Sequence, residues 1–127
     1  MTTYNKLIWD KIPEIIESSG NECEIRILDN KEYIIELNKK LQEELNEYYE
    51  DQSVDELAYL VEVIYTILKY KEVPLHKFEE IRISKVEKRG VFDKKLFLKE
   101  VIQPMKKSCH ILRRCIMTFM MKASHVV

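Results

Sequence analysis

Two consecutive stretches decide the fold. The first reads Asn30-Lys31-Glu32-Tyr33-Ile34-Ile35-Glu36-Leu37-Asn38-Lys39-Lys40-Leu41-Gln42-Glu43-Glu44-Leu45-Asn46-Glu47-Tyr48-Tyr49-Glu50-Asp51, and the second Ser53-Val54-Asp55-Glu56-Leu57-Ala58-Tyr59-Leu60-Val61-Glu62-Val63-Ile64-Tyr65-Thr66-Ile67-Leu68. In the first, Ile34, Leu37, Leu41, Leu45 and Tyr48 recur at steps of three and four and make one apolar stripe. Val54, Leu57, Val61, Ile64 and Leu68 do the same in the second and are its expected core face. Asp29 or Asn30 opens the first helix, with Asp29 and Glu32 spaced as a capping box, and Ser53 opens the second with Glu56 three residues on. The link Glu50-Asp51-Gln52 is short, so the two helices are expected to pack antiparallel.

Outward from this pair, Pro13 suits the start of a short helix that Gly20 ends. Cys23-Glu24-Ile25-Arg26-Ile27-Leu28 alternates in part and reads as a strand. A further helix runs from Pro74 to Gly90, and Leu96-Phe97-Leu98 marks a second strand. The expected fold is mainly α, an antiparallel helical bundle with a short two-stranded pairing of residues 23–28 and 94–101. Residues 1–103 form the domain, and 104–127 form a basic, Met-rich C-terminal extension.

Composition narrows the class. A chain of 127 residues with 46% hydrophobic and 34% charged residues has a globular profile, and only two glycines favour long helices over a turn-rich β fold. No run reaches the roughly 18 apolar residues of a membrane span, and Lys6, Asp10 and Lys11 interrupt any apolar leader. Three cysteines without CxxC spacing point to a reduced, cytoplasmic protein, and Cys109-His110 with Cys115 lacks the spacing of a zinc site. The extension carries Lys106, Lys107, Arg113, Arg114 and Lys122 and no acid, which leaves residues 1–103 at net −6. An acidic body argues against general nucleic-acid binding.

The chemistry lies in the carboxylates. At roughly 100° per residue, Glu44 and Glu47 share a flank of the first long helix, with Glu43 further round, while Glu56 and position 59 share a flank of the second. Like charges at turn spacing repel, and a hard divalent cation reverses that sign. Mg²⁺ takes oxygen ligands and keeps positions for water and phosphate oxygens, which suits attack on a phosphoanhydride. Taken residue by residue, a plain solvated face, which most acidic helix runs are, accounts better for Glu43, Glu44 and Glu47, and the capping box gives Glu56 a structural role. Arg82, Lys85 and Arg89 lie on one face of the 74–90 helix, suited either to polyphosphate oxygens or to pairing with the acidic body.

These motifs resemble the MazG-like all-α NTP pyrophosphohydrolases. Glu43-Glu44-x-x-Glu47 with Glu56-x-x-Tyr59 is similar to their EExxE…ExxD signature. Tyr4-Asn5-Lys6-Leu7-Ile8-Trp9-Asp10-Lys11-Ile12-Pro13 resembles the YNKLVRDKIP opening of a small phosphoribosyl-ATP pyrophosphohydrolase-like subgroup. Similarity also extends over Cys23–Asp29, Glu62-Val63-Ile64-Tyr65 and Arg89–Val101. The resemblance implies a helical bundle that forms a homodimer or higher homo-oligomer. It also implies hydrolysis of a nucleotide between its α and β phosphates, dependent on Mg²⁺, with Mn²⁺ as a substitute, giving a monophosphate and pyrophosphate. By position it makes Glu44, Glu47 and Glu56 the metal ligands and Glu43 a ligand or water-orienting base. Lys6, Lys11, Arg82, Lys85 and Arg89 are the candidate phosphate contacts.

Three departures stand out. Tyr59 replaces the family Asp and supplies no carboxylate, and Glu62 is the nearest stand-in, roughly 120° round the helix from Glu56. Trp9 replaces an Arg, and the extension has no counterpart. The alternative reading is a catalytically impaired relative that keeps the fold as a nucleotide-binding or protein-interaction module.

Overall fold

Local capping sets the helix boundaries. In the computed structural model, which describes residues 1–104, α1 spans Ile12–Ser18, α2 Asn30–Asp51, α3 Val54–Tyr70 and α4 Leu75–Arg89. The extension from residue 105, with Cys109, His110 and Cys115, lies outside the described residues. Gly20 ends α1 at φ 87°, a left-handed conformation that favours glycine. There its N–H donates to Glu17 O at 3.0 Å and that of Asn21 donates to Ile16 O at 3.3 Å, closing the last turn. Asp29 is the cap of α2: its carboxylate accepts the Glu32 N–H at 2.8 Å, and Arg26 Nη1 sits 2.7 Å from Glu32 Oε2. Gln52, at φ 53°, turns the chain, and Ser53 Oγ accepts the Glu56 N–H at 3.3 Å to open α3.

A two-residue link and extensive packing of α2 on α3 make an antiparallel helical hairpin, which is the centre of the compact unit Met1–Gly90. The mainly α expectation holds. No other pair of described helices shares a comparable contact. The hairpin's buried residues are Leu37, Lys40 and Glu44 from α2 and Val63 from α3, so half of them are charged. Among the described residues, no helix is long and apolar enough to cross a membrane.

Two expectations need correction. The stripe expected to form the core of α3 faces largely away from α2: Val54 is 79% exposed, Leu57 43% and Val61 41%, while Ile64 and Leu68 are half-buried. At roughly 100° per residue, Val54 and Val61 fall on the far side of the helix from Val63. α3 therefore has two apolar faces, and the one with the clearer periodicity is not the one that meets α2. The second correction concerns the strands. Neither 23–28 nor 94–101 is a strand, and the described residues contain no sheet. Ile25 and Ile27 are exposed, as are Leu96, Phe97 and Leu98, so no apolar layer covers either segment; a short strand needs both a ladder partner and such cover to persist.

Candidate metal centre

The buried face of α2 gathers charge because Lys40, Glu44 and Tyr48 follow Leu37 at helical spacing on the side turned toward α3. Glu43 and Glu47 flank that face. One carboxylate oxygen from each of Glu43, Glu44 and Glu47 lies within 4.8 Å of the others. The antiparallel return brings Glu56, in the first turn of α3, close enough for Glu47, Glu44 and Asp51 to act on its carboxyl.

Cations already meet this cluster. Lys6 Nζ is 3.0 Å from Glu43 Oε1, which draws the N-terminal segment onto α2. Lys40 Nζ is 3.5 Å from Glu43 Oε1 and 3.4 Å from Glu44 Oε1. With Asp51 counted beside Glu43, Glu44, Glu47 and Glu56, the carboxylates outnumber the two ammonium groups and leave the cluster with a net negative formal charge. Burial first, and then the neighbouring Glu47, push the Glu44 carboxyl above its ordinary value, against the pull of Lys40. Burial and the carboxylates of Glu47 and Glu44 likewise raise Glu56. Glu43 moves the other way: burial opposes ionisation, but the Lys6 and Lys40 ammonium groups outweigh it. The Lys6 ammonium is raised in turn by its bond to Glu43.

Two atoms separate this arrangement from an ordinary acidic face. Glu44 Oε2 and Glu56 Oε2 are both buried and accept from no donor group, and Glu44 as a whole is only 3% exposed. Both carboxyls lie within hydrogen-bonding reach of Glu47, with which only a shared proton or a cation could join them. An unpartnered buried carboxylate oxygen is costly. The oxygens gathered closely enough for a hard cation such as Mg²⁺ or Mn²⁺ are those of Glu43, Glu44 and Glu47, all from α2. Glu43 thus takes the place in the cluster expected for Glu56, whose carboxyl lies nearby on α3 outside it. The observation also bears on Glu56's capping role. Its backbone N–H bonds Ser53, but its Oε2 is enclosed near Glu47 and Glu44 instead of completing a capping box.

The remaining candidates fall elsewhere. Lys11 is exposed at the start of α1. Arg82 is held within α4 by Glu79, with Nη2–Oε2 at 2.8 Å and Nε–Oε2 at 3.0 Å, and this pairing lowers the Glu79 carboxyl. Lys85 and Arg89 are exposed further along α4, a helix without extensive contact to α2 or α3. Glu62 lines a cavity of about 220 Å³ with Tyr65, Leu68, Val73 and Leu75, at the end of α3 far from Glu56. Tyr59 is not isolated: its ring meets Trp9 edge-on, with centroids 5.4 Å apart and planes at 71°. The two aromatic departures from the charged motif are thus partners of each other, and they sit one turn beyond Glu56.

Lys40 is the site residue that the apolar stripe did not indicate. Its signal was present as an i,i+4 pairing with Glu44 on the Leu37 face. No protein-family model, curated protein or solved structure matches the chain.

Proposed function

We propose that this chain is a Mg²⁺- or Mn²⁺-dependent nucleotide pyrophosphohydrolase of the MazG-like kind, cleaving a nucleoside triphosphate or related nucleotide to a monophosphate and pyrophosphate. The observation that carries the reading is the pair of buried, unpartnered oxygens, Glu44 Oε2 and Glu56 Oε2, beside Glu47. Glu44, Glu47 and Glu56 would hold the ion, which when bound polarises a phosphoryl oxygen. Glu43, kept ionised by Lys6 and Lys40, is a weak base and is suited to orient an attacking water or to serve as a further ligand. Lys6 is 43% exposed at the rim and offers its ammonium to phosphate oxygens.

The same reading includes a homo-oligomer. Val54, Leu57, Val61 and Tyr65 leave an uncovered apolar stripe along α3, and such a stripe at helical spacing suits a second copy packing helix against helix to complete a bundle.

The test is pyrophosphate release from a panel of ribo- and deoxyribonucleoside triphosphates. At least one substrate should be cleaved with Mg²⁺ present. EDTA should abolish the activity, and Glu47→Ala or Glu56→Ala should lower it by about a thousandfold, the scale of losing a metal's stabilisation of transition-state charge. No release from any nucleotide with either ion, by folded protein, contradicts the reading.

The Trp9–Tyr59 contact favours a second reading, a nucleotide-binding or protein-interaction module without catalysis, because two aromatic rings that replace charged groups of the resembled motif pack on each other. Tyr59→Asp separates the two. It adds a carboxylate one turn from Glu56 and removes an edge contact worth about 1 kcal/mol. Under the enzyme reading, divalent affinity and turnover rise while metal-free stability falls slightly. A gain in binding from no detectable turnover supports the module.

A further inference from the structure

Lys40 differs from every other cation near the cluster. Its side chain is 10% exposed, against 43% for Lys6, and it comes from the middle of α2 instead of the irregular N-terminal segment. Lysine is among the residues least often buried unless paired. Here the ammonium bridges Glu43 Oε1 and Glu44 Oε1 at 3.5 and 3.4 Å. That leaves the two oxygens of Glu44 in different states: Oε1 faces Lys40, while Oε2 is buried with no donor directed at it, in a carboxyl that also meets the Glu47 carboxyl. The lysine therefore takes one side of the carboxylate and leaves the other for a second cation.

We infer that Lys40 is a built-in cation of this centre. It holds Glu43 and Glu44 together before an ion arrives, fixes which Glu44 oxygen is presented, and keeps affinity for that ion below what the bare carboxylates would give. The inference rests on reading the cluster as a divalent-cation site. It makes Lys40 a positioning residue, acting through Glu43 and Glu44. Charge accounts for the lowered affinity: Lys40 offsets one carboxylate of the cluster and repels an arriving divalent ion.

The experiment is Mn²⁺ titration of the full chain, with free ion counted by electron paramagnetic resonance, for wild type, Lys40→Met and Lys40→Arg. Methionine keeps much of the buried stem without the charge. Wild type should bind one Mn²⁺. Lys40→Met should bind at least about tenfold tighter, since a unit charge a few ångströms from a divalent ion is removed. Lys40→Arg should stay near wild type. Thermal melting gives a second readout. Lys40→Met should lose stability in metal-free buffer and regain it with Mn²⁺, whereas a merely structural lysine would cost the same in both. If wild type binds Mn²⁺ and Lys40→Met binds it equally or more weakly, the lysine assignment falls alone. If neither protein binds Mn²⁺, the metal reading falls and takes this inference with it.

Discussion

The two faces of the hairpin contradict the usual order of a small domain. Between α2 and α3 lie Lys40 and Glu44, both buried, while the outer side of α3 exposes Val54, Leu57, Val61 and Tyr65. Charge is enclosed and apolar surface is left open. Both arrangements are unfavourable for an isolated chain. Under the proposed function the inner face would be relieved by a cation and the outer face by a second copy. Metal binding and assembly would then lie on opposite sides of one helix, where they can be broken separately.

The largest stability effect expected from such a break is on the inner face. Leu37 is 2% exposed and packs beside Lys40, so Leu37→Ala should cost about 3 kcal/mol at any protein concentration. Leu57 is 43% exposed in the single chain, so Leu57→Ala should cost about 1 kcal/mol at any concentration and more where copies associate, if the outer face packs on a second copy. Denaturant melts of both variants over a range of concentrations check this. If the cost of Leu57→Ala does not change with dilution, the outer face is not an interface between copies.

A smaller effect is expected from pH on the metal-free protein. Glu44 and Glu56, facing Glu47, Asp51, Lys40 and Glu43, have carboxyls raised by burial and by their acidic neighbours. A raised folded value contributes stability at pH below the ordinary value of about 4.3, and that contribution is lost as pH rises through the folded value. Glu43 is lowered, so its contribution is present above the ordinary value and is lost in acid. Above its ordinary value Glu43 is ionised in both folded and unfolded chains and adds no slope, so the melting temperature should fall over the interval above that value in which Glu44 and Glu56 lose their protons. Saturating Mn²⁺ should remove that fall. A metal-free melting temperature that rises over the same interval would mean that the cluster is not strained in the way its burial implies.

Much of the hairpin was legible because capping is local. Asp29, Ser53, Gly20 and Gly90 each act within a few residues, and their helices begin or end beside them. Glu43, Glu44 and Glu47 were legible for the same reason, since one helix fixes their spacing. Periodicity did less well on α3. It shows that a face is suited to burial but not what buries it, and α3 carries two such faces, with Val63 on one and Val54, Leu57 and Val61 on the other. The buried charge of α2 was hidden because Lys40 and Glu44 interrupt an apolar pattern that Leu37, Leu41 and Tyr48 otherwise continue. Their pairing is local, but their burial depends on α3. The strands were misread because alternation in Cys23–Leu28 is a one-segment signal for a structure that needs two segments and a cover.

The cluster's claim to be a divalent-cation centre is tested most directly by calorimetric titration of Mn²⁺ into the metal-free chain, alongside Glu44→Gln and Glu56→Gln. Each substitution keeps the shape and removes one charge at an orphaned oxygen. One ion per chain, with affinity reduced at least about tenfold in either variant, is the predicted result. No heat of binding in wild type, or the same affinity in all three proteins, would contradict it.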